Sequence, residues 1–218
     1  MNPILNDVEA RVVGSLIEKQ VTTPDYYPLT LNALVNACNQ IQNRDPVVSY
    51  DERTVAAALE SLREKNLVYV FYGSDSRVPK YKHVVPEIFH LTPPEVAVLC
   101  VLLLRGPQTL GEVRGRTGRF HEFADLAEVE ATLDSLARKD PPLVSRLARA
   151  AGQKDARYAH LLSGEPPTVD ELKPPPASPR AARGDGERLA RLETEVESLR
   201  GEVSELRRQL DEFRKQFE

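Results

Sequence analysis

One short sequence pattern occurs twice in this chain of 218 residues. Residues 55–65 read VAAALESLREK, and residues 129–139 read VEATLDSLARK. In both segments a valine and two leucines stand at positions i, i+4 and i+7, which lie on one face of an α-helix. Similar segments follow each copy, KYKHVV at 80–85 and RYAHLL at 157–162. The pattern predicts a duplicated unit in which a helix is followed by a β-hairpin.

Each copy is preceded by signals for two further helices. Asn6 with Glu9 has the spacing of a capping box, and a second helix is predicted over about 31–38. In the second unit, residues 92–95 (TPPE) begin a helix and Thr109 begins another. Three helices followed by a hairpin is the order of a winged-helix domain. We therefore predict a mainly α fold with small β-hairpins (α+β), built as tandem winged-helix domains; the alternative is an unrelated small α+β unit.

The predicted organisation has four parts. A helix over Val96–Arg105 is apolar nearly all round, which indicates burial between the two units. The second unit ends near residue 164. The following segment contains six prolines, which predict a stiffened linker. The boundaries are 1–88 for the first winged-helix domain, 89–164 for the second, 165–186 for the linker and 187–218 for a coiled coil.

The last segment carries a heptad pattern. Valine at a positions with leucine at d favours two parallel strands, and the flanking charges pair oppositely, as in Glu195 with Arg200. The sequence therefore predicts a homodimer through a parallel coiled coil; a single amphipathic helix folding back on the globular part is the alternative. The seam consists of Leu189, Leu192, Val196, Leu199, Val203, Leu206, Leu210, Phe213 and Phe217.

Composition narrows the class of protein. A net charge of −4 argues against a protein that coats polyanions, because such binding needs a basic surface. Cys38 and Cys100 stand in apolar contexts and are expected to be reduced core residues. No signal peptide is evident, and the most apolar stretch, Val96–Leu104, is too short to cross a bilayer. We expect a soluble cytoplasmic protein with no membrane association.

No catalytic constellation stands out. The glycines at 111, 115 and 118 lie between predicted helices rather than after a strand, so they do not form a phosphate loop. His83 and His160 occupy equivalent positions in the two hairpins, which favours a structural role over metal binding. We expect no enzyme activity, no cofactor and no metal.

Basic residues concentrate in the hairpins and in turns between helices, where they can hold phosphates of DNA. They are Arg77, Lys80 and Lys82 in the first hairpin, Arg114, Arg116 and Arg119 between helices, and Arg146, Arg149, Lys154 and Arg157 in the second hairpin. A polar loop adds side chains that can reach base edges or backbone, namely Asn39, Gln40, Asn43 and Arg44. A merely solvated surface is the alternative.

The repeated helices argue against reading of the major groove. Carboxylates such as Glu60 and Glu130 repel phosphates, and the base contact open to them is acceptance from cytosine. Two functions therefore stay open: a possible regulator that contacts double-stranded DNA through its wings and basic turns, and a protein-interaction scaffold that uses the acidic helices and the coiled coil.

Several motifs resemble one family. Residues 18–24 (EKQVTTP), 37–40 (ACNQ), 43–46 (NRDP), 102–106 (LLLRG) and 157–161 (RYAHL) are similar to those of the YceH-like family of bacterial proteins. The resemblance spans about residues 5–164. It implies a tandem winged-helix fold and a bacterial cytoplasmic protein, and it implies no particular activity.

Overall fold

Seven α-helices and five short strands make up the residues that the computed structural model describes, which are 5–72, 78–148 and 155–164. The helices are α1 (Asp7–Thr22), α2 (Leu31–Cys38), α3 (Glu52–Glu64), α4 (Val85–Phe89), α5 (Pro93–Arg105), α6 (Leu110–Thr117) and α7 (Leu126–Ala137). The strands are β1 (Leu29–Thr30), β2 (Val68–Phe71), β3 (Lys80–His83), β4 (Val144–Arg146) and β5 (Tyr158–His160). The protein is therefore a mixed α+β fold, as predicted.

The helices begin where the sequence signals them. The Asn6 side chain accepts a bond from the Glu9 backbone N–H at 2.9 Å, and the Glu9 carboxylate accepts from the Asn6 backbone at 2.8 Å, which confirms the capping box of α1. Thr109 and Glu112 form the same reciprocal arrangement at α6. Asp51 caps α3 through the backbone N–H of Thr54.

The strands form two antiparallel sheets. The first has the order β1-β3-β2, with Val68 opposite His83 and Leu29 opposite Tyr81. The second pairs β4 with β5 and places Val144 opposite His160. Strand β1 pairs with β3 and makes the first sheet one strand wider than the predicted hairpin, because the residues after Pro28 are extended.

Helix α5 lies at the centre of the core. Its side chains from Ala97 to Leu104 are all buried, and it packs against α1 on one side and against α6, α7 and β5 on the other. Helix α5 therefore lies between α1 and the elements that follow it in the chain. One continuous core of apolar side chains runs through the described residues on both sides of position 88.

The two halves anchor their third helices in the same way. Lys65, which follows α3, forms an ion pair with Glu9 of α1 at 2.6 Å. Lys139, which follows α7, pairs with Glu95 of α5 at 3.2 Å. Each lysine thus closes the third helix of its half onto the first turn of the first helix, where a carboxylate also favours the helix N-terminus.

The predicted linker and coiled coil lie outside the described residues, as do Arg77, Arg149 and Lys154. Among the residues that the structure describes, no helix is both long enough and apolar enough to span a membrane.

Candidate nucleic-acid interface

The outer face of the first sheet combines lysines with aromatic rings. Tyr69 pairs across the strands with Lys82, and Phe71 pairs with Lys80. Because alternate residues of a strand point to opposite faces, these four side chains share the face opposite to buried Val68 and His83. Two of the predicted phosphate contacts, exposed Lys82 and half-buried Lys80, therefore lie on the same face, two residues apart.

The two lysines keep their charge available. Within the described part of the chain, neither Lys80 nor Lys82 forms an ion pair with a carboxylate. A cation that is not neutralised by the protein retains its attraction for phosphate.

A second basic region surrounds the C-terminal end of α5. Its centre is Glu18 of α1, whose side chain has no exposed surface. Arg44 binds both oxygens of that carboxylate, at 3.1 and 2.5 Å, and Arg119 from the loop after α6 binds it from the second half. Burial alone would raise the pKa of Glu18, but the hydrogen bonds and charge of Arg44 lower it below its ordinary value.

Glu112 of α6 is likewise shared by two guanidinium groups. Arg157 donates to it at 2.9 Å and Arg116 lies 3.7 Å away, one helical turn along α6. Arg105 bonds the uncharged amide oxygen of Asn43 at 2.6 Å. Burial, together with the nearby charges of Arg116 and Arg119, lowers the pKa of Arg105. Arginines therefore outnumber the carboxylates that bind them, and the region keeps positive charge.

Arg44 is buried and does not lie on the predicted interface. Its guanidinium has no exposed surface, and besides Glu18 it donates to the carbonyl of Ala37 and to the side chain of Gln40. A buried guanidinium cannot reach a phosphate, so the geometry gives Arg44 a structural role. The sequence placed it in a polar loop and gave no sign of Glu18, which is 26 residues away.

The amides of the same loop are engaged within the fold. The Asn39 side chain donates to and accepts from the backbone of Tyr50, both at 2.8 Å. Gln40 accepts from Arg44, and Asn43 accepts from Arg105 with its backbone at a positive φ of 62°. These bonds hold the loop in shape and position the arginines. They engage both polar groups of the Asn39 amide and the oxygens of the Gln40 and Asn43 amides.

The remaining predicted arginines take different roles. Arg114 donates to the carbonyl of Ala124 at 2.7 Å and so fixes the loop that leads into α7. Arg157 also donates to the carbonyl of Pro107 at 2.8 Å. Arg146 is exposed on β4 and lines a groove of about 350 Å³ between α6, α7 and the second sheet. Glu130 and Asp155 line the same groove, so its charge is mixed.

The third helices present carboxylates to solvent. Glu52, Glu60 and Glu64 are exposed on α3, and Glu128 and Glu130 are exposed on α7. This exposure agrees with the sequence argument that neither helix suits a phosphate-lined groove.

Of the histidines at equivalent positions, His83 is buried and His160 is half-buried. His83 is 3 % exposed, its ring nitrogens have no hydrogen-bond partner among the described residues, and its ring meets that of Tyr27 edge to face. Burial lowers the pKa of His83 to about 4 and that of His160 also to about 4. Within the described residues, no group of three His, Cys, Asp or Glu side chains could hold a metal ion.

Comparison with known proteins identifies similar sequences throughout this region. A family model described as "Protein of unknown function, DUF480" matches residues 5–153. A UPF0502 protein of Opitutus terrae is 55 % identical over 199 residues, which is 91 % of this chain and 84 % of that protein. A UPF0502 protein of Pelobacter propionicus is 56 % identical over 202 residues, 92 % of each chain. One from Geobacter sulfurreducens is 52 % identical over 201 residues, 91 % of each chain.

Proposed function

The chain belongs to the DUF480 family of bacterial proteins, also called UPF0502, and on that premise we propose that it is a non-enzymatic cytoplasmic protein that contacts double-stranded DNA. The family agrees with the resemblance to YceH-like proteins. In this proposal the two halves are copies of one winged-helix domain, and the C-terminal heptads form a parallel coiled coil that makes the protein a homodimer.

The element order supports the winged-helix part of the proposal. Helices α1, α2 and α3 precede β2 and β3, and helices α5, α6 and α7 precede β4 and β5. The matching lysine anchors and the matching histidines give the two halves the same internal connections. Fold alone is weak support for a function, so the case for DNA depends on the charged surface.

The observation that carries the proposal is the positive region around α5 and α6. Glu18 and Glu112 are each shared by two arginines, and Arg105 bonds an uncharged amide. Arg116 and Arg119 remain about one-third exposed. Guanidinium groups bind phosphate through two parallel hydrogen bonds, which suits this region to a DNA backbone.

A salt titration tests this function. Binding of the full chain to a labelled 20-base-pair duplex is measured by fluorescence anisotropy between 50 and 200 mM KCl. We expect affinity to fall with salt, and we expect the double variant R105Q/R116Q to lower the slope of log K against log salt by about 2, because each lost phosphate contact removes about one unit.

Arg138→Gln is the matched control, since Arg138 is an exposed arginine at the end of α7, beside Asp134 and outside the positive region. Its slope should equal that of the unaltered protein. Absence of binding at 50 mM KCl, or equal slopes for R105Q/R116Q and R138Q, would contradict the proposal.

A protein-interaction scaffold is the second candidate. The exposed carboxylates of α3 and α7 favour it, because they offer an acidic surface to a basic partner. Charge reversal of Glu52, Glu60 and Glu64 to lysine should abolish capture of a stoichiometric partner in this case, while it should leave or increase affinity for duplex DNA in the first.

The dimer has its own test. Removal of residues 187–218 should convert the protein from dimer to monomer in sedimentation equilibrium, because the coiled coil supplies the proposed contact. A truncated chain that stays dimeric would contradict this part of the proposal.

A further inference from the structure

Two aromatic rings stand on the open face of the first sheet. Tyr69 is 48 % exposed and Phe71 is 46 % exposed, although both occur in a strand whose other residues pack inward. Each ring is paired across the strands with a lysine, Tyr69 with Lys82 and Phe71 with Lys80. The face is thus an alternation of rings and cations, which we call the ring–lysine face.

The second sheet shows that the fold does not require this pattern. In the second sheet, the pair next to His160 is Ser145 opposite Ala159. This pair corresponds to Tyr69 opposite Lys82, which stands next to His83 in the first sheet. Small side chains thus occupy the corresponding step beside half-buried His160, where Ala159 is buried, whereas Tyr69 in the first sheet is exposed. The exposed rings with their paired lysines are therefore a feature of the first sheet that the second sheet does not share.

Unpaired bases are the chemical partner that such a face recognises. Every base has a flat π-surface that stacks on an aromatic ring, and a lysine beside each ring can hold the connecting phosphate. A duplex offers base edges in its grooves, while its base faces are stacked inside. Exposed rings therefore suit a single strand better than an intact, stacked duplex.

The spacing agrees with an unstacked strand. Tyr69 and Phe71 are two residues apart, which is about 6.8 Å along an antiparallel strand. Stacked bases rise by about 3.4 Å, so two neighbouring bases reach the two rings only when they are no longer stacked on each other. A single strand drawn across the sheet meets that condition.

We propose that the ring–lysine face binds an unpaired segment of a DNA strand, with bases stacked on Tyr69 and Phe71 and phosphates held by Lys80 and Lys82. This inference rests on the proposed DNA function and names the form of DNA that the first sheet takes. The duplex would lie on the arginines of α5 and α6, and the single-stranded segment on the sheet.

Anisotropy with three probes tests the proposal on the full chain: a 12-nucleotide oligothymidylate, an oligouridylate of the same length and a 20-base-pair duplex. The key variant is Y69T/F71T, because threonine retains β-propensity while it removes both rings. We expect oligothymidylate to bind, and we expect Y69T/F71T to weaken that binding at least about 20-fold, since each stacked base is worth about 5- to 150-fold. Duplex affinity should stay unchanged.

Tyr26→Thr is the matched control, because Tyr26 is a 78 % exposed ring away from the sheet, and it should leave all three affinities unchanged. Lys82→Gln should weaken oligothymidylate binding and reduce its salt dependence. Near-UV circular dichroism of Y69T/F71T verifies that the core is intact.

Several outcomes would overturn the inference. They are absence of oligothymidylate binding, equal binding by the unaltered protein and Y69T/F71T, tighter binding of oligouridylate than of oligothymidylate, and a change of oligomeric state in Y69T/F71T, which would assign the face to a second copy of the chain. If the duplex binds and oligothymidylate does not, this inference fails while the proposed function stands. If neither binds, both fail.

Discussion

Protonation of His83 should couple the stability of this protein to pH. The imidazole is 3 % exposed, and burial places its pKa at about 4, whereas an imidazole in an unfolded chain titrates near 6.5. Below pH 6.5 the unfolded chain therefore takes up a proton that the folded chain does not. The stability present at neutral pH is lost progressively as the pH falls from about 6.5 towards 4.

The two pKa values fix the size of the effect. At pH 7 the linkage costs only about 0.2 kcal/mol, and at pH 5 it costs about 2 kcal/mol, rising to roughly 3 kcal/mol below pH 4. The variant His83→Phe keeps a ring of similar shape against Tyr27 and cannot be protonated. We expect its free energy of unfolding to decline by about 2 kcal/mol less than that of the unaltered protein between pH 7 and pH 5.

Urea denaturation followed by near-UV circular dichroism measures this difference. All seven tyrosines lie between residues 26 and 158, so the signal reports on the described part of the chain. His90→Asn is the control, because His90 is exposed and its positive φ of 49° suits asparagine. The reasoning is refuted if His83→Phe loses as much stability between pH 7 and pH 5 as the unaltered protein and the control.

Two further predictions concern the junction of the halves. Glu18→Gln should lower the free energy of unfolding by about 3–5 kcal/mol, because it leaves Arg44 buried without a counter-charge. Glu60→Gln, in the exposed pair with Arg63, should change it by less than about 1 kcal/mol. Chemical denaturation of both variants measures the difference. Gly14→Ala should destabilise by about 1–3 kcal/mol, because a Cβ there would lie 2.9 Å from Leu104 of α5. Gly115→Ala, which meets no atom within 4 Å, should stabilise by about 0.5–1 kcal/mol, so thermal unfolding of the two alanine variants should shift in opposite directions.

The parts of the fold that local chemistry determines were predictable. Helix caps at Asn6 and Thr109 follow from spacing alone, since the capping side chain and its partner lie within one turn. The burial of α5 followed from the absence of any polar face. Strand β1 and the short helix α4 were missed, because two and five residues are too few to show a period.

The site was less predictable, because it depends on partners that are distant in sequence. The sequence places Arg44 in a polar loop, but its guanidinium binds Glu18 of α1, and Arg119 reaches the same carboxylate from 101 residues away. In α1, Arg11 and Glu18 stand seven residues apart and both are buried. The helix also carries Asp7, Glu9 and Lys19, so the sequence did not single these two charges out. A charged side chain that is buried needs a partner from elsewhere in the chain, because burial of an unpaired charge is costly.

The position of α5 has a consequence for how this molecule can be taken apart. Because one helix closes the interior on both sides, a fragment ending near residue 88 would leave the apolar surface of α1 facing water, and a fragment starting there would leave α5 uncovered. Neither fragment is therefore expected to fold on its own, whether it is produced by engineering or by recombination. The two halves are expected to fold and unfold as one unit.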